Sequence, residues 1–394
     1  MTSESNIKRI SMFSILFVFS IIFLRPTLWG QSLTFPGLIA LFILLIFFVS
    51  KFRTAPHSIE RWFIILTFSI ILFWLYCVSA AVIIGDSDIE FVFKAAGAGI
   101  FTSLTYFFIL SDSGLNKIIF KYFAILNSCL GWSIVATTIL MIFFGYDFLT
   151  YYHLAIKGYE AGLTNGDVLF PFSPVYGTLL EYDIYRYLGI YRESGIAQLF
   201  FIWSATYLFF SKEKLIYIIG ALIGGVLTAS TSVVFSLGLV LLGYFYWDKK
   251  VSIKTLLLIL IVIISFALLL IYFPGLGLLD KRETHFDSID DRSYAMSFVY
   301  SEFSSLFIGT GLYNMNAPYE NIGINAVSSI YFIGIVGFIL YVSQFFVYQF
   351  LAPAGVRGRY ITLLFPLLVT SLLFQPLIDA PLACMLLYCI PPEM

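Results

Sequence analysis

Charge is scarce in this chain. Only 11% of its 394 residues are Asp, Glu, Lys or Arg, whereas a soluble domain carries nearer ~25%. With 60% hydrophobic residues and a mean hydropathy of +0.95, an ordinary soluble domain is excluded and a polytopic helical membrane protein is left. The net charge of −1, with no basic domain or stripe, excludes nucleic acid as a partner. Cysteine is equally sparse. Cys77, Cys129, Cys384 and Cys389 all fall in apolar segments, where a thiol serves as a small apolar side chain, so neither a disulfide framework nor a metal site is expected. A cleavable signal peptide is lacking too: Arg25-Pro26 follows the first apolar run in place of a small-residue cleavage site, and the run reads as the first span. Ionisable residues are also missing from the span centres, apart from Lys94 at a span start and Asp379 in a broken final pair. Ion-coupled transporters place such groups at the midplane.

The apolar runs predict an all-α, polytopic integral membrane protein with about twelve transmembrane helices, forming a single membrane domain over 1–394. The spans lie near 10–24, 33–50, 62–84, 92–110, 122–144, 195–210, 215–230, 232–247, 255–273, 326–350, 360–374 and 376–390. Pro376, Asp379 and Pro381 interrupt the last pair, so 360–390 reads either as two spans or as one bent span with a re-entrant piece. Basic residues set the orientation. Lys8 and Arg9, Lys51 to Arg61, Lys117 and Lys121, Lys212 and Lys214, Lys249 to Lys254, and Arg357 and Arg359 mark one side as cytoplasmic, with both termini on it.

Two loops on the outer side are longer than the ~15 residues beyond which a connection usually has a task of its own. The loop at 145–194 joins spans five and six and is rich in tyrosine: Tyr151, Tyr152, Tyr159, Tyr176, Tyr182, Tyr185 and Tyr191, with His153 among them. Such rings either belt the headgroup region or present flat apolar faces and hydroxyls to sugars. The loop at 274–325 joins spans nine and ten. It carries Lys281-Arg282-Glu283-Thr284-His285, then Asp290-Asp291-Arg292, then a Phe-rich stretch expected as an interfacial amphipathic helix that Gly309-Thr310-Gly311-Leu312 closes.

Chemistry concentrates at Gly189-Ile-Tyr-Arg-Glu-Ser-Gly-Ile-Ala-Gln198, where the first loop runs into an apolar helix. A helix start offers unpaired N–H groups and the positive end of the dipole, so Arg186 and Arg192 beside it make a pocket suited to phosphate. The plainer reading makes Arg192 and Glu193 interfacial anchors. Thr228-Ala229-Ser230-Thr231-Ser232 forms a tight turn between spans seven and eight. Its hydroxyls either satisfy backbone groups freed by the turn or line the floor of an outer cavity. Arg186, Arg192, Arg282 and Arg292 are thus the available phosphate partners, and charge-assisted bonds of this type contribute ~1.5–3 kcal/mol each. Two arginines can hold a diphosphate and stabilise it as a leaving group without a metal or cofactor. The outer face has no ATP, so a reaction there needs a substrate that arrives activated.

The sequence resembles the bacterial O-antigen polymerase and ligase superfamily. The resemblance rests on Arg192-Glu193-Ser194-Gly195 opening a span and the Thr-Ala-Ser-Thr-Ser turn. It also rests on Asp291-Arg292-Ser293-Tyr294 leading to Ile308-Gly309-Thr310-Gly311, then Asn325, then Ile333-Gly334-Ile335-Val336-Gly337. The pieces cover about 186–340, in the family's order. Ligases of this group carry a His-Asn pair roughly a dozen residues before the Gly-x-x-Gly. Here that region reads Asn321-Ile-Gly-Ile-Asn-Ala326, and His285 lies well upstream, which tilts the resemblance towards polymerases of the Wzy type.

The resemblance implies a glycosyltransferase of the bacterial inner membrane that polymerises undecaprenyl diphosphate-linked oligosaccharide repeat units into lipopolysaccharide O-antigen or a related surface polysaccharide. It implies membrane lipid as surroundings, and a flippase and a chain-length regulator as partners. The rivals are a ligase that transfers glycan to lipid A core and, from another class, a lipid-linked oligosaccharide flippase. Arg192 and Arg292 are the expected diphosphate clamp, with Glu193 beside them; Arg186, Arg282, Tyr191, Ser230, Ser232 and Tyr294 are the expected binding residues. The general base is open among Glu193, Asp290, Asp291, Glu320 and His285, with N-capping the plainer role for Asp290 and Asp291.

Overall fold

The computed structural model describes residues 3–52, 60–157, 163–179, 184–230, 232–248, 306–316, 325–351, 354–375 and 377–392, with scattered positions between 252 and 297. Five helices among them are long and apolar enough to cross a bilayer: Arg61–Ile84, Ile89–Leu110, Ser113–Phe144, Ile330–Leu351 and Val356–Phe374. Shorter apolar helices accompany them, and large side chains such as Phe35, Ile43, Phe68 and Ile83 stand exposed. Water would not tolerate so much exposed apolar surface, whereas lipid tails solvate it. The protein is membrane-embedded and predominantly helical.

Contacts group the chain into two compact units. The first comprises 1–123, 295–353 and 376–390, and the second 124–294, 354–375 and 391–394.

In the first unit, α1 (Ser3–Ile21) and α2 (Gly30–Phe52) precede a central pair, α3 (Arg61–Ile84) and α4 (Ile89–Leu110). Local chemistry sets the turn of that pair. Gly85 ends α3 in the left-handed conformation, its N–H returning to the Ala81 carbonyl at 3.0 Å, and the Asp88 carboxylate caps α4 by accepting from the Phe91 N–H. The chain leaves the unit within α5 (Ser113–Phe144) and returns at 295, ahead of α10 (Ile330–Leu351), which packs on α3.

Helix α10 is not continuous. Gly334 sits at φ 66°, ψ 174°, which interrupts the helical ladder within an apolar segment. The segment 306–311 supplies the missing partners. Thr310 and Gly311 donate to the Tyr331 and Phe332 carbonyls at 2.9 Å each, Ile335 donates to the Leu306 carbonyl at 2.8 Å, and the Tyr76 hydroxyl reaches the Ile308 and Ile333 carbonyls. Non-helical backbone at membrane depth survives only when it is satisfied by protein in this way. The two chains cross so closely that a Cβ on Gly309 would overlap the Phe332 carbonyl, and one on Gly334 would overlap the Phe307 carbonyl.

The last stretch, expected either as a twelfth span or as a re-entrant piece, holds only a short helix. Pro381 opens the five-residue helix α12 (Pro381–Met385), which tightens into one 3-10 turn at Leu386–Tyr388. This piece is buried in the first unit. The Tyr388 hydroxyl meets Thr67 and Ser103 at 2.9 and 2.6 Å, and Asn116 donates to the Tyr388 carbonyl at 2.7 Å. Proline sits at the first helical position, where its fixed φ suits a helix start.

The second unit is built around α7 (Ser194–Phe210). Every residue of this helix except Phe209 is buried, as expected for a helix apolar all round. It packs against α8 (Leu215–Leu227), α9 (Ser232–Gly243) and α11 (Ala354–Val369). Helix α8 lies directly on α5: a side chain on Gly220 would run into Trp132 and Ser128, and one on Gly224 into Gly131 and Phe201. Small residues that let backbones approach are how helices associate where the solvent is as apolar as the side chains.

The loop at 145–194 holds regular structure that the sequence reading did not anticipate. After the short helix α6 (Tyr146–Leu149), four strands form an antiparallel sheet in the order β1-β2-β3-β4: β1 (Thr150–Lys157), β2 (Leu163–Leu169), β3 (Ser173–Leu179) and β4 (Ile184–Tyr187). Hydroxyls on one face of α5 hold it. Ser133 donates to the Phe172 carbonyl at 2.7 Å, Thr137 to the Phe170 carbonyl at 2.9 Å, and Thr138 to the Tyr187 hydroxyl at 2.9 Å. A tyrosine-rich stretch without strict alternation hides such short strands, whose partners include the hydroxyls of the preceding helix α5.

Gly309→Ala and Gly334→Ala are each expected to destabilise the detergent-solubilised protein by about 2 kcal/mol or more, from the strained φ together with the clash. Gly97→Ala, where nothing lies within 4 Å of the added methyl, is the control and should be neutral or stabilising. Thermal unfolding of the three variants checks this.

Candidate functional site

The polypeptide approaches α7 through a tight turn. The Leu188 N–H donates to the Pro174 carbonyl at 2.9 Å, Gly189 takes φ +59°, and the Tyr191 N–H closes back on the Leu188 carbonyl at 3.0 Å. Tyr191 is wholly buried. Its ring stacks on Phe200 with centroids 4.4 Å apart, and its hydroxyl donates to the Asn127 Oδ1 at 2.6 Å. Burial pushes its phenol well above the ordinary tyrosine value, against a smaller opposing effect from Asn127, so it stays a neutral donor. Tyr191 therefore props the turn from inside the protein.

Arg192 follows, then Glu193 in extended conformation, and α7 begins at Ser194. Arg192 is 8% exposed, with its Nε 3.8 Å from Glu193 Oε1. Arg186, at the end of β4, reaches forward and donates from Nη2 to the Ser194 Oγ at 2.7 Å. The Arg186 and Arg192 guanidinium groups and the Glu193 carboxylate thus lie at the start of one helix. The N–H groups of such a first turn add partial positive charge. Helix α11 and the π-helical turn that continues it (Thr370–Phe374) brace the arrangement. Gln198 donates to the Thr370 hydroxyl at 2.8 Å, and a side chain on Gly195 would press on the Gln375 amide. π-turns of this type interrupt helices at functional sites more often than elsewhere.

The hydroxyl turn lies between α8 and α9. Ser230 and Ser232 bond each other at 2.6 Å, Thr228 donates to the Gly225 carbonyl at 2.7 Å, and Ala229 takes φ +50°. The structure therefore brings together Arg186, Tyr191, Arg192 and Glu193 around Ser194, and sets Ser230 beside Ser232. Arg282, His285, Asp290, Asp291, Arg292, Tyr294 and Glu320 lie outside the described residues, as does the expected interfacial helix that follows them. Among the described residues no three His, Cys, Asp or Glu side chains gather as metal ligands.

Two polar clusters escaped the sequence reading. On the sheet, His153 and Asp167 face each other across β1 and β2, with Nδ1 2.6 Å from Oδ1, and Tyr146 donates to the other carboxylate oxygen at 2.6 Å. Burial, and then the hydrogen bond and charge of Asp167, raise the Tyr146 phenol above its ordinary value. In the first unit, Arg25 Nη1 meets Asp379 Oδ2 at 2.6 Å, and Tyr313 donates to that same oxygen at 3.0 Å. Burial pulls the Arg25 guanidinium down, but Asp379 and Tyr313 more than offset it and raise the group. Neither cluster has a local signal, because strand register joins fourteen-residue neighbours in one and the chain's two ends meet in the other.

No family model, no curated protein and no solved structure matches the chain.

Tyr191→Phe removes a buried hydrogen bond and leaves the Asn127 oxygen without its phenolic donor, so it is expected to cost about 1–2 kcal/mol in thermal unfolding while the stacked ring stays in place.

Proposed function

We propose that the chain is a glycosyltransferase of the O-antigen polymerase type, joining polyprenyl diphosphate-linked oligosaccharide units on the extracytoplasmic face of the bacterial inner membrane. One observation carries the reading: at the start of a buried helix Arg186 donates to Ser194, and the buried Arg192 lies two residues before that serine. Positive charge fixed in this way suits a diphosphate, and it suits best a diphosphate that gains charge as it leaves.

In the proposed step a sugar hydroxyl of one unit attacks the anomeric carbon of a chain held on a second lipid. The new C–O bond forms as the anomeric C–O bond to phosphate breaks. The electron pair goes to the diphosphate, which the arginines stabilise, and the proton goes to a base. Arg292 would complete the clamp, with Arg282 and Tyr294 beside it and Asp291, Glu320, His285 or Glu193 as further polar groups. On the twelve-crossing topology drawn from the basic residues, the termini are cytoplasmic and the loops at 145–194 and 274–325 lie outside. Helix α8 has 13 residues, about 20 Å against a hydrocarbon core of ~30 Å. The Ser230–Ser232 turn would then sit below the outer surface, where hydroxyls are of use to a headgroup or a sugar. A flippase delivering the substrate and a chain-length regulator are the partners this reading calls for.

A second reading, a lipid-linked oligosaccharide flippase, draws on the interruption of α10 at Gly334, since transporters build sites from discontinuous helices.

Deletion of the gene should remove the long glycan ladder and leave single repeat units on the core. Arg192→Ala should reproduce that defect, with polymer reduced about 100-fold or more, and Arg192→Lys should restore only part of it. Gel separation of the glycan and analysis of the lipid-linked pool read the outcome. Bare core with long polymer stranded on the lipid would mean a ligase, and repeat units held on the cytoplasmic side would mean a flippase.

A further inference from the structure

The sheet carries a prepared proton acceptor. His153 projects into solvent, with its side chain 83% exposed, while its partner Asp167 is only 24% exposed. The carboxylate is held from two sides. One oxygen takes the Tyr146 hydroxyl at 2.6 Å, and Tyr146 is itself clamped by stacking on Tyr185, with centroids 4.6 Å apart and planes 14° from parallel. The other oxygen takes His153 Nδ1 at 2.6 Å. A carboxylate only accepts, so Nδ1 carries the hydrogen and the lone pair of the neutral ring is on Nε2, the nitrogen directed away from Asp167. A simple surface ion pair needs none of this support. An imidazole fixed in tautomer and orientation by a half-buried acid is the arrangement of a general base.

We infer that the His153–Asp167 pair, oriented by Tyr146, is the general base that takes the proton of the acceptor sugar hydroxyl. The inference rests on the polymerase reading above and names the group that reading leaves open. His153 Nε2 accepts the hydroxyl proton as the oxygen bonds to the anomeric carbon, and the anomeric C–O bond breaks with its electron pair leaving on the diphosphate. Asp167 stabilises the imidazolium, which afterwards returns its proton to solvent. Exposed Tyr151, two residues before His153, provides a flat face and a hydroxyl for the glycan that brings this hydroxyl.

The test uses the full-length protein in liposomes, with lipid-linked repeat units extracted from the deletion strain as substrate, and measures kcat and KM for polymer formation. His153→Ala is expected to lower kcat about 10²–10⁴-fold with KM within about twofold. Added imidazole, which has free access at an exposed position, should restore at least a tenth of the lost rate. Asp167→Asn should lower kcat at least tenfold. A His153→Ala rate within threefold of wild type overturns the inference, and so does a loss that imidazole fails to restore, since a structural role would not respond to it. A wild-type protein that forms no polymer from this substrate would overturn the polymerase reading, and the base assignment with it; a working wild type with an indifferent His153 overturns the base assignment alone.

Discussion

A buried peptide N–H or C=O left unpaired costs several kcal/mol, and the first unit holds one place where that cost arises. Helix α10 breaks at Gly334, and its freed groups pair with 306–311. The close crossing leaves room for neither a Gly309 nor a Gly334 side chain, and Tyr76 secures both chains with one hydroxyl. The docking then propagates. With 306–311 in place, the residues beyond it pair with the α3–α4 turn: Asp88 donates to the Tyr313 carbonyl and Met315 to the Asp86 carbonyl. Tyr313 is thereby presented to Asp379, and Asp379 to Arg25. One backbone constraint thus leads to the place where Arg25, Asp379 and Tyr313 meet.

The second unit solves a different problem with the same chemistry. Helix α7 is buried along its length except at Phe209, and charged side chains lie at its start. Arg192, Glu193 and the Arg186 that reaches Ser194 collect there. Glycines on α5 and α8 bring the backbones together, and hydroxyls at Ser133, Thr137 and Thr138 tie α5 to the sheet. The sheet end that carries Arg186 is therefore located by the same helix that packs against α8.

The helical, membrane-embedded character could be read from composition, because apolar runs of spanning length have few alternatives. So could the start of α7, where Arg192-Glu193-Ser194-Gly195 interrupts apolar sequence and leaves a visible mark. The Gly309-Thr310-Gly311 and Ile333-Gly334 motifs were each visible, but their mutual contact was not, since a backbone crossing has no side-chain signature. The sheet was hidden for a related reason: its strands are short, and its anchoring hydroxyls belong to a helix. His153 and Asp167 share nothing in sequence except a distance of fourteen residues, and only the β1–β2 register makes them neighbours.

The two readings of function ask opposite things of the arginines. A transporter must bind its cargo in two states and release it from one, which requires a site that loosens. A transferase gains from a site that does not move, because stabilising a departing diphosphate is most effective when the donors need no reorganisation. Arg186 is tied to Ser194, the first turn of α7 is backed by Gln375, and Gln198 is tied to Thr370. These contacts lie on a helix buried along its length except at Phe209, so loosening the site would mean repacking α7. The interruption of α10 gives the opposite reading less support, since the break is filled by protein backbone and its peptide groups are already paired. Rigidity at the charged turn therefore weighs towards chemistry over passage.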